Sequence, residues 1–151
     1  RFSAVPVGRF VIDLHKENKK SYKYSDPLCI ALQILNHIQD CKEDYNKIGR
    51  VYLPLTFLKK YNVKLEQLKK NYTEQNLRLA INEILFHTEK LINEADKFKK
   101  IMKNNKLSKE TTFILEIAKS LHKLLKKKDP LRNKVVLKKF DYIKCFVKTF
   151  L

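Results

Sequence analysis

Four polar side chains recur along one stretch of otherwise apolar sequence. In DPLCIALQILNHIQDCKEDYNKIGRVYLP, steps of 3, 4 and 4 residues separate Gln33, Asn36, Asp40 and Asp44. At about 100° per residue they project from a helix within an arc of roughly 80°, a single stripe over three turns. Two carboxylates one turn apart, with amides before them, supply oxygen ligands for a hard cation. Mg²⁺ suits such a set, because it takes one or two carboxylates and completes its octahedron with water and phosphate oxygens. Arg50 and Tyr52 follow directly and can donate to the same diphosphate. Ile30, Leu32, Ile34, Leu35 and Ile38 surround the stripe, so the helix is apolar on several sides. That pattern predicts polar groups lining a buried cavity rather than a broad solvated face. Spacing alone fits a metal site and an ordinary solvated helix end equally well.

The elements that must position these residues are helical. Only two glycines and four prolines punctuate 151 residues, which favours few, long helices over many strands. The spacing predicts a first helical segment from Ser3 to about Lys16, interrupted by Pro6 and Gly8, then a loop over Lys16–Tyr24. Ser25 or Asp26 is expected to cap the stripe-bearing helix, with Pro27 in its first turn and Gly49 at its end. Val51–Pro54 is expected to be extended, followed by short helices from about Thr56 and around Lys64–Lys70. A long amphipathic helix follows from Thr73 to about Lys103. Ser108 is expected to cap another over Lys109–Lys128, and a last helix occupies about Leu137–Phe150.

The chain is 44% hydrophobic, enough to bury a core, and carries a formal net charge of +17. Its richness in lysine, asparagine and isoleucine matches an AT-rich coding bias, which accounts for part of that charge. The remainder attracts anionic lipid headgroups, phosphorylated substrates or nucleic acid. Two widely separated glycines exclude a Gly-rich phosphate loop. Cys29, Cys41 and Cys145 form no metal-ligand pattern and read as unpaired thiols of a reducing cytoplasm. No apolar run reaches the ~18 residues of a membrane span. His15, His37, His87 and His122 read as isolated packed or surface residues.

QILNHIQDCKEDYNKIGRVYLP resembles the second Asp-rich motif of the squalene/phytoene synthase family: an amide-rich helix, D-x-x-E-D, then R-x-Y-x-P. SAVPVGRF resembles that family's A-x-x-V-G helix. Leu35–Cys41, Pro6–Phe10 and Asp129–Lys138 are most similar to the hydroxysqualene synthase subgroup of the hopanoid pathway. The resemblance runs over essentially the whole chain. It implies an all-α isoprenoid (terpenoid) synthase helical bundle, of which residues 1–151 form the C-terminal portion of one domain, incomplete at its N-terminal side.

It also implies Mg²⁺ as cofactor and a prenyl diphosphate as substrate, with presqualene diphosphate ionised to hydroxysqualene. By position, Asp40, Asp44 and Asn36 would hold the metal, and Asp40, Asp44 and Tyr52 would be catalytic. Gln33, Asn36, Arg50 and Lys134 would bind the diphosphate end, and Ala4, Val7 and Gly8 would lie against the isoprenoid tail. Lys134 stands where the family carries arginine, keeping the charge but not the bidentate geometry. The family's facing Asp-rich helix has no counterpart here; Asp13 and Glu17 have similar spacing but sit at a helix end. The chain is therefore expected to be inactive alone, the other wall coming from an N-terminal half or a partner chain. The expected location is cytoplasmic, peripheral to the inner face of an anionic membrane.

Two other readings compete. A nucleic-acid binder would need basic residues interleaved with exposed aromatics on one face, whereas the aromatics here fall at core spacing, so no nucleic-acid partner is expected. A non-catalytic assembly or scaffold protein could use the same fold, although it would not need Asp40 and Asp44.

Overall fold

The computed structural model describes residues 3–150, and among them there are helices and turns but no strand. Six α-helices follow in order: α1 (Ala4–Leu14), α2 (Tyr22–Ile48), α3 (Leu55–Lys60), α4 (Gln75–Ala95), α5 (Asn105–Lys127) and α6 (Lys139–Thr149). Short 3₁₀ turns at Lys19–Ser21, Leu65–Lys69 and Asp96–Lys100 connect them.

The long helix α2 is the organising element, packing against α1, α4 and α5. Its buried residues Leu28, Ala31, Leu35 and Ile38 recur at helical spacing and meet Leu77, Ile81, Leu85 and Ile92 of α4 and Leu115, Ala118 and Leu125 of α5 in one core. Each fully buried Leu or Ile there stabilises the fold by about 1.5–3 kcal/mol. Gly49 ends α2 in the left-handed conformation, φ 64°, as the sequence predicts. The three cysteines are free thiols.

Several boundaries differ from the sequence reading. Pro6 and Gly8 do not interrupt α1: Pro6 occupies the first turn, where its missing N–H leaves no helical bond unmade. Helix α2 starts at Tyr22, so neither Ser25 nor Asp26 caps it. Ser25 is buried, and Asp26 instead accepts two hydrogen bonds from Arg9, at 3.0 and 2.5 Å. Helix α4 ends at Ala95, short of Lys103, and Thr73 does not cap it; its N–H donates to Asp129 at 2.8 Å. Asn104, not Ser108, caps α5, its side chain accepting from the N–H of Leu107 at 3.1 Å. Ser108 lies inside that helix.

The aromatics also depart from expectation. Phe10, Tyr52, Tyr72, Phe86, Phe140, Tyr142, Phe146 and Phe150 are exposed rather than packed in the core. Leucine and isoleucine fill the interior, and periodicity by itself does not say whether an apolar helix face meets a neighbour.

Candidate functional site

The stripe on α2 lies opposite the face that carries Ala31, Leu35 and Ile38 into the core. It therefore points away from the bundle, and the cavity that the sequence suggests is not closed by the described residues. Asn36 is exposed, Gln33, Asp40 and Asp44 are half-buried, and the Asp40 side chain is 38% exposed. No element among the described residues covers the stripe, which is why its polar groups stay partly solvated.

Three segments converge on it. From α1, Ser3 accepts a hydrogen bond from Gln33 Nε2 at 2.7 Å, fixing the start of α1 beside the stripe. From the extended segment after Gly49, Tyr52 stacks on His37 with ring centroids 4.4 Å apart and planes 11° from parallel. Arg50 Nη1 donates to the Tyr52 hydroxyl at 3.1 Å, so the two predicted residues form one unit over His37. From the segment after α5, Lys134 Nζ lies 2.9 Å from Asp40 Oδ1 and 3.3 Å from Glu43 Oε2.

The path of the 129–135 segment explains that last contact. Asp129 accepts from the N–H groups of Thr73, Leu131 and Arg132, at 2.8, 2.9 and 3.3 Å, which turns the chain back after α5. Leu131 and Val135 are buried. Helix α2 then holds their carbonyls, Lys42 Nζ donating to Leu131 at 3.0 Å and Gln39 Nε2 donating to Val135. Lys134 is thereby directed along α2 onto Asp40 and Glu43. Those two carboxylates raise the Lys134 pKa, and Lys47 together with Lys134 holds Glu43 below the usual carboxylate range.

Asp40 Oδ1 is shielded from solvent and accepts no directed hydrogen bond. Lys134 Nζ, 2.9 Å away, is the cation paired with that oxygen. Among the described residues, no three His, Cys, Asp or Glu side chains converge to hold a metal unaided. A Mg²⁺ ion bound through one or two carboxylates and a diphosphate does not need three. The donor set on this face, Asp40 and Asp44 with Asn36 nearby, fits such an ion.

Of the residues expected at the isoprenoid tail, Val7 is 62% exposed and shares an open apolar stripe of α1 with Phe10 and Leu14. Ala4 lies half-buried at the start of that helix. Gly8 has a packing role. A Cβ there would stand 2.5 Å from Cys29 Sγ and 2.7 Å from Ser25 Oγ, so its absence lets α1 approach α2.

His37 belongs to the site although the sequence reading set it aside. Residues 33, 37, 40 and 44 are spaced 4, 3 and 4, which puts His37 on the same stripe within roughly 60°. That spacing was the available signal. Burial lowers the His37 pKa, while Asp44 and Asp40 oppose the shift.

Residues 1–141 match the family model for squalene/phytoene synthase. The chain belongs to the squalene/phytoene synthase family. It is 36% identical to the hydroxysqualene synthase of Zymomonas mobilis over 135 residues, which is 89% of this chain and 46% of that protein. It is 34% identical to the hydroxysqualene synthase of Rhodopseudomonas palustris over 143 residues, 95% of this chain and 49% of that protein. The chain thus spans about half the length of the curated relatives it matches. A crystal structure of a squalene synthase from Alicyclobacillus acidocaldarius superposes with a TM-score of 0.75 at 24% identity, covering 82% of this chain and 46% of that one. The all-α fold of this squalene/phytoene synthase family member is that of the terpenoid synthases.

Proposed function

We propose that this chain supplies one wall of a Mg²⁺-dependent prenyl diphosphate site, acting in the ionisation of presqualene diphosphate to hydroxysqualene in isoprenoid and hopanoid biosynthesis. The observation that carries the reading is the convergence of Lys134 on Asp40, whose Oδ1 is shielded from solvent and faces that lysine. Asp40 and Asp44, with Asn36 beside them, would hold the metal. Bound there, Mg²⁺ would neutralise charge developing on the departing diphosphate.

The chain's own residues divide the remaining work. Lys134 is a point charge on a flexible stem, free to move from Asp40 to a phosphate oxygen. Arg50 holds the Tyr52 hydroxyl, and His37 holds the Tyr52 ring, so that side chain is fixed at the mouth of the site. Gln33, tied to Ser3, keeps α1 alongside, where Ala4 and the exposed Val7 offer apolar surface to an isoprenoid tail. Once the facing wall closes over it, such a surface would shelter a carbocation from premature capture by water.

A facing carboxylate wall, from an N-terminal half or a partner chain, completes the site in this reading. The open face of the stripe supports it, as does the match to only about half of each relative. Calorimetry with inorganic pyrophosphate and Mg²⁺ tests the binding. Asp40→Asn and Asp44→Asn should each abolish the Mg²⁺-dependent part; pyrophosphate binding indifferent to both would reject the metal role. Turnover of presqualene diphosphate by the purified chain alone would reject the need for a second wall.

A further inference from the structure

Helix α6 packs on α5 alone to any extent among the described residues. Its inward side carries the buried Cys145, with Sγ 3.3 Å from Ser120 Oγ. Its outward side carries Phe140, Ile143, Phe146, Val147 and Phe150, each 52–65% exposed. At 100° per residue these five occupy an arc of about 120°, an apolar face that Lys139 enters at its first turn. Phe146 packs tilted against Phe150, with centroids 4.9 Å apart and planes at 58°, and meets Phe113 of α5 edge-on at 6.1 Å, so the patch extends across both helices.

Cations frame this face. Lys144 Nζ lies 4.5 Å from the centre of the Phe140 ring, and Lys109 Nζ lies 5.0 Å from that of Phe150. Lys139 is exposed at the start of the helix, and Lys123, Lys144 and Lys148 line the groove between α5 and α6. Of the neighbouring carboxylates, Asp141 accepts from the Lys138 N–H at 2.8 Å, and Glu116 pairs with Lys119 at 2.9 Å and, within the frame, with Lys148 at 3.6 Å. We infer that α6 is a membrane-docking surface, in which the five apolar side chains enter the headgroup boundary of an anionic bilayer and the flanking lysines meet lipid phosphates.

The contrast with α1 decides the occupant. Val7, Phe10 and Leu14 on α1 are as exposed as the α6 residues. Yet Arg9 beside them is locked onto Asp26, and Asp13 accepts from Tyr22. Among the described residues, helix α1 therefore has apolar surface without a free cationic frame, and it adjoins the stripe of α2. Helix α6 has both features of an interfacial helix, and the Lys144 and Lys109 heads, held over ring faces rather than by carboxylates, can turn to the headgroups. A single-stranded nucleic acid would need stacking platforms along a basic groove. Ile143 and Val147 at the centre of the patch serve insertion into lipid and not stacking. The inference stands independently of the diphosphate reading.

The chain contains no tryptophan, so Phe146→Trp gives a single local reporter. Vesicles of phosphatidylcholine with phosphatidylglycerol should shift its emission to the blue and sediment the chain; pure phosphatidylcholine should do neither, and Phe10→Trp should not respond. Phe146→Ser with Phe150→Ser should weaken sedimentation on the order of tenfold or more, from the apolar area withdrawn. Lys139→Glu with Lys144→Glu should weaken it in a salt-dependent way with the five apolar side chains unchanged, and so keeps the test open should the serine pair lose helicity. Equal binding to both vesicle types overturns the proposal, as does equal loss on Val7→Ser with Phe10→Ser. So would self-association abolished by the serine pair, which would make α6 a protein interface, or displacement of vesicles by an oligonucleotide.

Discussion

Lys134 Nζ stands 2.9 Å from Asp40 Oδ1, although the two residues belong to segments at opposite ends of the sequence. The contact is half exposed, 56% for the lysine side chain and 38% for the aspartate. An ion pair this wet contributes about 0–1 kcal/mol. Lys134→Gln should therefore leave the urea midpoint nearly unchanged while weakening pyrophosphate binding. A large loss of stability would mean that Lys134 is structural.

Asp129 should behave in the opposite way. Burial raises its pKa, but hydrogen bonds from the Thr73 side chain and from the N–H groups of Thr73, Leu131 and Arg132 outweigh burial and lower it. Asp129→Ala removes the acceptor for all of them and should cost about 2–3 kcal/mol. It should also release the 131–135 segment, seen as faster hydrogen exchange at Leu131 and Val135. Protection unchanged from the parent would reject Asp129 as the organiser of that segment.

The close approach at Gly8 predicts a steep size dependence. Gly8→Ala should destabilise by roughly 1–3 kcal/mol, because the new methyl overlaps Cys29 Sγ and Ser25 Oγ. Removing both obstructing atoms, with Ser25→Ala and Cys29→Ala in the same chain, should recover part of that loss. A double-mutant cycle with no coupling between these positions would reject the steric account.

Glu17 predicts an acid-sensitive junction. It is 7% exposed and accepts from the N–H groups of Lys103, at 3.0 and 3.1 Å, and Asn104, at 2.6 Å, just before α5. Burial raises its pKa, but the backbone donors of Asn104, Lys103 and Asn18 outweigh it, and the folded-state pKa lies below the unfolded one. Its stabilisation is thus fully present above the ordinary glutamate value near 4.3 and is lost as pH falls through the folded value. Glu17→Gln should lower stability at neutral pH and flatten the decline below about pH 4. Urea midpoints across pH 3–7 measure both effects, and parallel curves for parent and variant would reject the assignment.

The thiols offer a structural clock. Burial pushes the Cys41 thiol up to about 12, and Cys41 is 4% exposed. Alkylation near pH 8 should spare Cys41 in the folded chain and modify it as fast as unfolding exposes it. Rapid modification under native conditions would show α2 opening locally.

The helical class and the stripe were legible in the sequence because both depend on local spacing. Glycine scarcity and 3.6-residue periodicity specify long helices wherever they pack, and Gly49 stops α2 through its own backbone freedom. The positions of Gln33, Asn36, Asp40 and Asp44 on one face follow from helix geometry alone. What tertiary structure decided was which face meets which neighbour. The apolar residues flanking the stripe suggested enclosure, yet enclosure depends on an element facing α2, and no helix among the described residues packs across the stripe. Cap positions moved for the same reason: Asp26 was taken by Arg9, and Thr73 by Asp129, each partner remote in sequence. His37 gained its role only when the chain after Gly49 folded back to set Tyr52 upon it. Periodicity marks a side chain's direction from its own helix axis. Whether that direction ends in protein, in solvent or at a charged partner depends on contacts distant in sequence, and only the folded chain supplies them.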